Sequence, residues 1–173
     1  MSQHKSRTIA LSAILTAFGI LIPLIMPFKV IIGPASFTLA SHVPLFLAIF
    51  VSPLVGIYVS LGVTLGFFLA GFPIVIVLRA LSQIVFTIIA AWYWKYHQAK
   101  LKQKPLALFL FAFAINVIHG LGELLAVLLF SLTGQINLPY LGSLVVLVGL
   151  GTLIHGLCDF YLAYYLMKII KLR

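Results

Sequence analysis

Long apolar runs, barely interrupted by charge, decide what this chain can fold into. From Thr8 to Met26 there is no charged residue, and the same holds from Ser41 to Val51 and from Leu54 to Ala70. A helix needs roughly 20 apolar residues to cross the hydrocarbon core of a bilayer. Only 8% of the 173 residues are charged and 64% are hydrophobic, whereas a soluble chain carries roughly 25% charged residues. A domain of this size buries only about 70% of its unfolded surface, so a soluble fold has nowhere to put this much apolar area. The chain is expected to be an all-α integral membrane protein, a single domain over 1–173.

The runs predict six transmembrane helices, from about Thr8 to Met26, Ser41 to Val51, Leu54 to Ala70, Ile74 to Tyr96, Leu106 to Leu132 and Ser143 to Ile169. The basic start and first run resemble a signal sequence, but the run continues to Pro27, beyond signal-peptide length, and reads as the first span. Between the first two runs lies FKVIIGPASFTLASHVP, whose Gly-Pro turn and β-branched residues predict a long ordered outer loop that dips toward the membrane. Ser52-Pro53 and Gly71-Phe72-Pro73 read as tight turns, KYHQAKLKQKP as a soluble connector and TGQINLPYLG as a polar loop.

Charge orients this layout. Lys5, Arg7, Lys95, Lys100, Lys102, Lys104, Lys168, Lys171 and Arg173 fall on one side and only Lys29 on the other. By the positive-inside rule both termini are cytoplasmic. The net charge of +9 is thus topology information and not a nucleic-acid stripe. Multi-pass residence in the plasma membrane follows. Cys158 is the single cysteine, so no internal disulfide forms, and it is expected as a small buried apolar residue.

Inside a bilayer each ionisable group needs a reason, because its burial costs at least about 2.5 kcal/mol. Glu123 and Asp159 are the only acidic residues, and each follows a histidine by four positions, in HGLGE (His119) and HGLCD (His155). That spacing places each pair on one helix face. Asn116 shares the first face, and Gln83 follows Arg79 by the same interval. Counting rise along the spans puts Arg79 and Glu123 in the outer half and Asp159 toward the cytoplasm, about half a bilayer apart. A metal centre would want more carboxylates at one depth, so none is expected; a proton relay through the pairs is a second possibility.

Arg79, Asn116, His119 and Glu123 instead suggest a pocket for a small carboxylate solute, since a guanidinium fork matches a carboxylate. The His155–Asp159 pair reads as holding helices together. His42 stands at a loop-to-helix junction, with Ser41 as a plausible N-cap, and is either an interfacial helix start or a pocket lip. Ala10, Ala13 and Ala17 make a small-residue face on the first span, suited to close helix approach in lipid. Walker, HExxH and GxSxG motifs are absent, so no enzymatic activity or cofactor is expected in this chain, and ATP-driven work falls to other chains.

With SRTIALSAILTAFGILIP and the stretch PASFTLASHVPLFLAIFVSPLVGIYVSLGVTLGFFLAGFPIVIVLRALSQ in view, the chain resembles the substrate-binding S components of energy-coupling factor (ECF) vitamin transporters, and within them the pantothenate-specific branch. The resemblance implies a high-affinity vitamin pocket roofed by the loop after span one. It also implies a transmembrane coupling subunit, two cytoplasmic ATPases that use the ATP, and delivery of the vitamin by reorientation in the lipid. It assigns the Ala13–Ala17 motif to the coupling surface. For pantothenate, Arg79 would hold the carboxylate, with Asn116, His119, Glu123, His42, Gln83 and the outer Asn137 and Tyr140 serving the rest. Nicotinate is the alternative vitamin carboxylate, and a self-sufficient proton-coupled transporter the alternative class, although no inverted repeat is evident.

Overall fold

The computed structural model describes residues 3–131 and 137–170. The first helix, α1, spans Gln3–Ile25, and a two-stranded antiparallel hairpin follows, β1 (Lys29–Ile32) and β2 (Ala35–Thr38). Then come α2 (Val43–Val51), α3 (Pro53–Leu69), α4 (Ile74–Gln103) and α5 (Pro105–Ser131). The last pillar runs unbroken from Leu138 to Ile169 as α6 (Leu138–Leu144), a π-helical stretch (Val145–Leu150) and α7 (Gly151–Ile169). Four of these pillars (α1, α4, α5 and the last) are long and apolar enough to cross a membrane, and α3 is a shorter apolar helix. The helical membrane architecture is as the apolar runs demand.

The loop after α1 is a β-hairpin. Its two-residue turn is Gly33-Pro34, with Gly33 at φ 56° as the first central residue, where the missing Cβ permits a positive φ. β1 faces outward along its whole length, while Ala35 and Thr38 at the ends of β2 are buried. Ala40, also at positive φ (60°), then turns the chain sharply down into the bundle.

That turn makes α2 a half-helix. Nine residues rise roughly 14 Å, about half the hydrocarbon thickness, and every residue from Val43 to Phe50 is buried. Aromatic rings sheathe it: Phe46 meets Phe86 of α4 and Phe160 of α7, and Phe50 meets Trp94 and Tyr164. His42, not Ser41, occupies the N-cap position, and no side chain caps it locally.

Other expectations shift as well. KYHQAKLKQKP is largely exposed, as a soluble connector should be, but it is helical: α4 continues through Gln103, leaving only extended Lys104 before α5. Lys, Gln and Ala favour helix, and the break falls where the residue before a proline is pushed out of the helical region. The polar loop ends early, because Asn137 caps α6, its Oδ1 accepting from the Tyr140 backbone N–H at 2.9 Å, with proline in the first turn. Thr133–Ile136 of that loop, like Lys171 and Arg173 of the charge count, lie outside the described residues. Cys158 is exposed rather than buried; next to inward-facing Asp159, it points to the lipid side, where an apolar thiol is equally at home.

Close helix approach concentrates between α1 and α3. A Cβ on Gly66 would meet the carbonyl oxygens of Ile20 and Gly19 at 2.5 and 2.9 Å, and one on Gly62 would meet Thr16. Gly62-x-x-x-Gly66 is therefore the small-residue seam that lets α3 press on α1, while Ala13 and Ala17 stay exposed on another side of α1. Gly66→Val drives a side chain into backbone that cannot swing aside. It is expected to destabilise by about 1–3 kcal/mol, read as a lowered unfolding temperature in detergent; an unchanged temperature would contradict so tight a seam.

Candidate functional site

Five chain segments meet where α2 begins. Arg79 enters from the first turns of α4, Glu123 from α5, His42 from the head of α2, Asp159 from α7, and the hairpin turn lies above. Arg79, Gln83, His119, Glu123 and Asp159 are each no more than 3% exposed, and His42 is 7% exposed. Charge at this depth persists only when paired, and the pairing is dense. Arg79 Nη2 donates to Glu123 Oε2 at 2.7 Å, and Thr152 Oγ1 donates to the same oxygen at 2.6 Å. Glu123 Oε1 accepts from Gln83 Nε2 at 3.3 Å. Arg79 Nη1 reaches up to the Pro34 carbonyl at 2.6 Å, tying the hairpin to the site as a roof.

His42 joins the two acidic residues. Its backbone N–H donates to Asp159 Oδ2 at 3.0 Å, and its Nδ1 lies 3.2 Å from the same oxygen. A carboxylate only accepts, so Nδ1 carries the proton; Nε2 is then free to accept from Gln83 Nε2, 3.2 Å away. The expectation that Glu123 and Asp159 lie half a bilayer apart is therefore wrong: a single imidazole and one amide bridge them. The estimate assumed that each helix starts at the edge of the core. Instead, the last pillar begins at Leu138, earlier than the expected Ser143, and α2 starts inside the bundle, buried from its first residue, bringing His42 to both carboxylates. The His155–Asp159 contact, at 3.4 Å, lies within α7; it is Asp159 alone, through His42, that joins α7 to the head of α2.

His119 is placed differently. Its ring stacks on Phe86 at 4.3 Å, and Nε2 lies 3.2 Å from Glu123 Oε1, yet neither ring nitrogen makes an aligned hydrogen bond. Arg79 Nε, Gln83 Oε1 and Asn116 Oδ1 are likewise buried without partners. Buried polar atoms are nearly always satisfied by protein or water, so these atoms are the cluster's free capacity for further hydrogen bonds. Asn116 itself sits on the α5–α7 seam, back-bonded to Ala112 and pressed against Gly156.

Asn137 and Tyr140 are not brought to the cluster. Asn137 is exposed and spent on capping α6, and the Tyr140 hydroxyl meets Ser131 at 3.0 Å. Sequence reasoning missed the Pro34 carbonyl and Thr152; the latter shares a helix face with His155 and Asp159, three and seven residues on, and that polar stripe was the available signal. Two triads, His42 with His155 and Asp159, and His42 with His119 and Glu123, bring ligand-type atoms within 4.8 Å of one another. In each a carboxylate oxygen is already taken by the His42 N–H or by Arg79, and the guanidinium charge opposes a cation in the second.

The enclosed space among Ser36, Ser41, His42, Arg79, Gln83 and Glu123 is about 10 Å³, room for a single water. This is a closed form, sealed by its own side chains. At the other end of the molecule, Ala13 and Ala17 line a groove of about 630 Å³ between α1 and α3, with Thr16, Ser52 and Tyr58; Ala10 is exposed but outside it.

Helices of membrane length around a roofed, buried polar cluster define a multi-pass membrane protein, and comparison with known proteins finds its relative to be a transporter, not an enzyme. The chain is 42% identical over 161 residues to the niacin transporter NiaX of Lactococcus lactis subsp. cremoris (strain MG1363), covering 92% of this chain and 72% of the relative. No family model matches it, and no solved structure does. The chain belongs to the S-component family of energy-coupling factor transporters. The finer resemblance to the pantothenate branch finds no support, and the relative points to the alternative solute.

Asp159→Ala would leave the His42 N–H unpaired inside the bundle. It is expected to cost about 1–3 kcal/mol, measured as thermal unfolding in detergent, and an undiminished unfolding temperature would show that Asp159 does not hold α2 in place.

Proposed function

We propose that the chain is the vitamin-binding subunit of an energy-coupling factor importer and that its solute is nicotinate. The reading rests on one observation above all: a buried guanidinium, Arg79, with an unpartnered Nε beneath a roof, in a chain 42% identical to a niacin transporter. Nicotinate is a flat pyridine with one carboxylate. The carboxylate suits the Arg79 fork, the ring suits the apolar walls that Phe67 and Ile76 supply, and the pyridine nitrogen asks for one donor, which the Gln83 amide provides by giving up its hydrogen bond to Glu123. Pantothenate, with an amide and two hydroxyls, needs more polar partners, and Asn137 and Tyr140 are engaged elsewhere.

Ligand pockets are commonly about 300 Å³ or larger, so the solute enters only when the hairpin lifts and the Arg79–Pro34 hydrogen bond opens. The hairpin end then faces outward, and the lysine-bearing end of α4, with both termini, faces the cytoplasm. The groove at Ala13 and Ala17 receives the coupling subunit, and two partner ATPases supply the energy. Six helices form one domain, which carries no cofactor or metal of its own.

Calorimetric titration of the purified chain in detergent is expected to give one-to-one, submicromolar binding of nicotinate and at least a hundredfold weaker binding of pantothenate. Arg79→Ala should weaken nicotinate binding tenfold or more. Equal affinities, or an indifferent Arg79→Ala, would defeat the assignment.

Ala17→Leu fills the groove with a side chain. Co-purification of the coupling and ATPase subunits should be lost while nicotinate binding by the isolated chain is retained; retained co-purification would place the coupling surface elsewhere.

A further inference from the structure

We infer that an anionic solute enters this site together with a proton, and that His119 is the group that takes it. The inference rests on the nicotinate reading, and it follows from counting the charge on every element that faces the cluster. α4 contributes Arg79, α5 contributes Glu123 and His119, the head of α2 contributes His42, and α7 contributes His155 and Asp159. Lys29 of the hairpin lies outside, over the Phe72 ring. With neutral imidazoles the buried set carries one positive and two negative charges. A solute carboxylate on Arg79 makes a third negative charge against the same single guanidinium, in a medium where unpaired charge is costly.

The compensating cation must come from an imidazole, and the hydrogen bonds choose which one. His42 is committed on both sides: Nδ1–H to Asp159, and Nε2 accepting from Gln83. His155 Nε2 also lacks an aligned hydrogen bond, but it lies 3.4 Å from Asp159 Oδ2, on the carboxylate that holds the head of α2 and not on the one that Arg79 would release. His119 has neither ring nitrogen in a hydrogen bond and holds Nε2 at 3.2 Å from Glu123 Oε1. A solute carboxylate competes with Glu123 for Arg79. As Glu123 Oε2 gives up the Nη2–H, a protonated His119 donates its Nε2–H to Oε1 and keeps Glu123 paired. Glu123 thus serves as the site's own stand-in for the solute carboxylate, and His119 is a positioning residue that acts through it.

The balance is one proton from solvent to His119 per carboxylate bound. Linkage fixes the sign: a proton taken up on binding makes affinity fall as pH rises, by up to roughly tenfold per unit. The test is calorimetry of the wild-type chain with nicotinate in buffers of different ionisation enthalpy, at one pH near neutrality. About one proton should be taken up per nicotinate, and nicotinamide, the neutral amide, should bring none. His119→Gln should reduce the uptake for nicotinate toward zero and flatten the pH dependence of its affinity. Nicotinate binding without proton uptake, or equal uptake with nicotinamide, overturns the inference and leaves the nicotinate reading intact. Unchanged uptake in His119→Gln overturns the assignment to His119. Failure of every vitamin carboxylate to bind overturns both the reading and the inference.

Discussion

A helix that begins inside a bundle exposes polar backbone where no water can satisfy it, and α2, buried from Val43 on, begins there. Irregular backbone at this depth is tolerated only when protein surrounds it. Here the solution is a carboxylate from α7: Asp159 accepts the His42 N–H and the His42 ring together, and a negative group at a helix N-terminus is also favoured by the dipole. Once Asp159 is committed to that task, His42 is fixed. Its far nitrogen then orients Gln83, and Gln83 in turn faces Glu123. The cluster under the roof is thus organised outward from the head of α2.

The same constraint explains why the site closes on itself. A guanidinium and two carboxylates cannot stand open in a dry core, so in the closed form Glu123 pairs with Arg79 and the Pro34 carbonyl takes the remaining Nη1 donor. What stays unsatisfied is selective. Unpartnered buried atoms include Arg79 Nε, Gln83 Oε1, Asn116 Oδ1, the His119 nitrogens, His155 Nε2 and Thr38 Oγ1, most of them in or beside the cluster, whereas Ser60 and Thr87 between α3 and α4 find partners. Phe37 of β2 settles over Gly151, where a side chain would collide with its ring, at the end of the π-helical stretch. Such stretches recur at functional sites, and this one lets the roof rest on the last pillar.

Much of this was legible in the sequence. Apolar runs of membrane length gave the helical architecture, the i, i+4 histidine–carboxylate spacing picked out both acidic residues, and Gly33-Pro34 announced a turn. Arg79, Gln83, His42, His119 and Glu123 do converge. The failures share one physical cause, which is that periodicity measures faces and not depths. Nothing in TLASHVPLF says that the chain dives into the bundle before turning helical, so the reach of His42 to Asp159 was invisible. Without it the two carboxylates seemed to belong to different levels. Asn137 and Tyr140 were misjudged for a related reason: a polar residue beside a proline is as good a helix cap as a ligand, and capping claimed Asn137.

The two working regions of the molecule lie at opposite ends of α2. His42 at its head belongs to the roofed cluster, and Ser52, which follows its last turn and caps α3 through Val55 N–H, lines the groove beside Ala13 and Ala17. Between them stand nine residues, buried from Val43 to Phe50 and gripped by Phe86, Trp94, Phe160 and Tyr164. A close-packed rod of this kind has little room to bend or compress. If solute binding draws His42 toward or away from Asp159, the displacement therefore has to appear at Ser52 or be absorbed at Ala40, the positively twisted residue above the rod. Packing favours the first of these below Phe46, because α2 is held there by rings from α4 and α7, and the second above it, because Ala40 is only half-buried. The short second helix, too short to be a membrane span, is best understood as the piece that sets the distance between the roofed cluster and the groove beside Ala13 and Ala17.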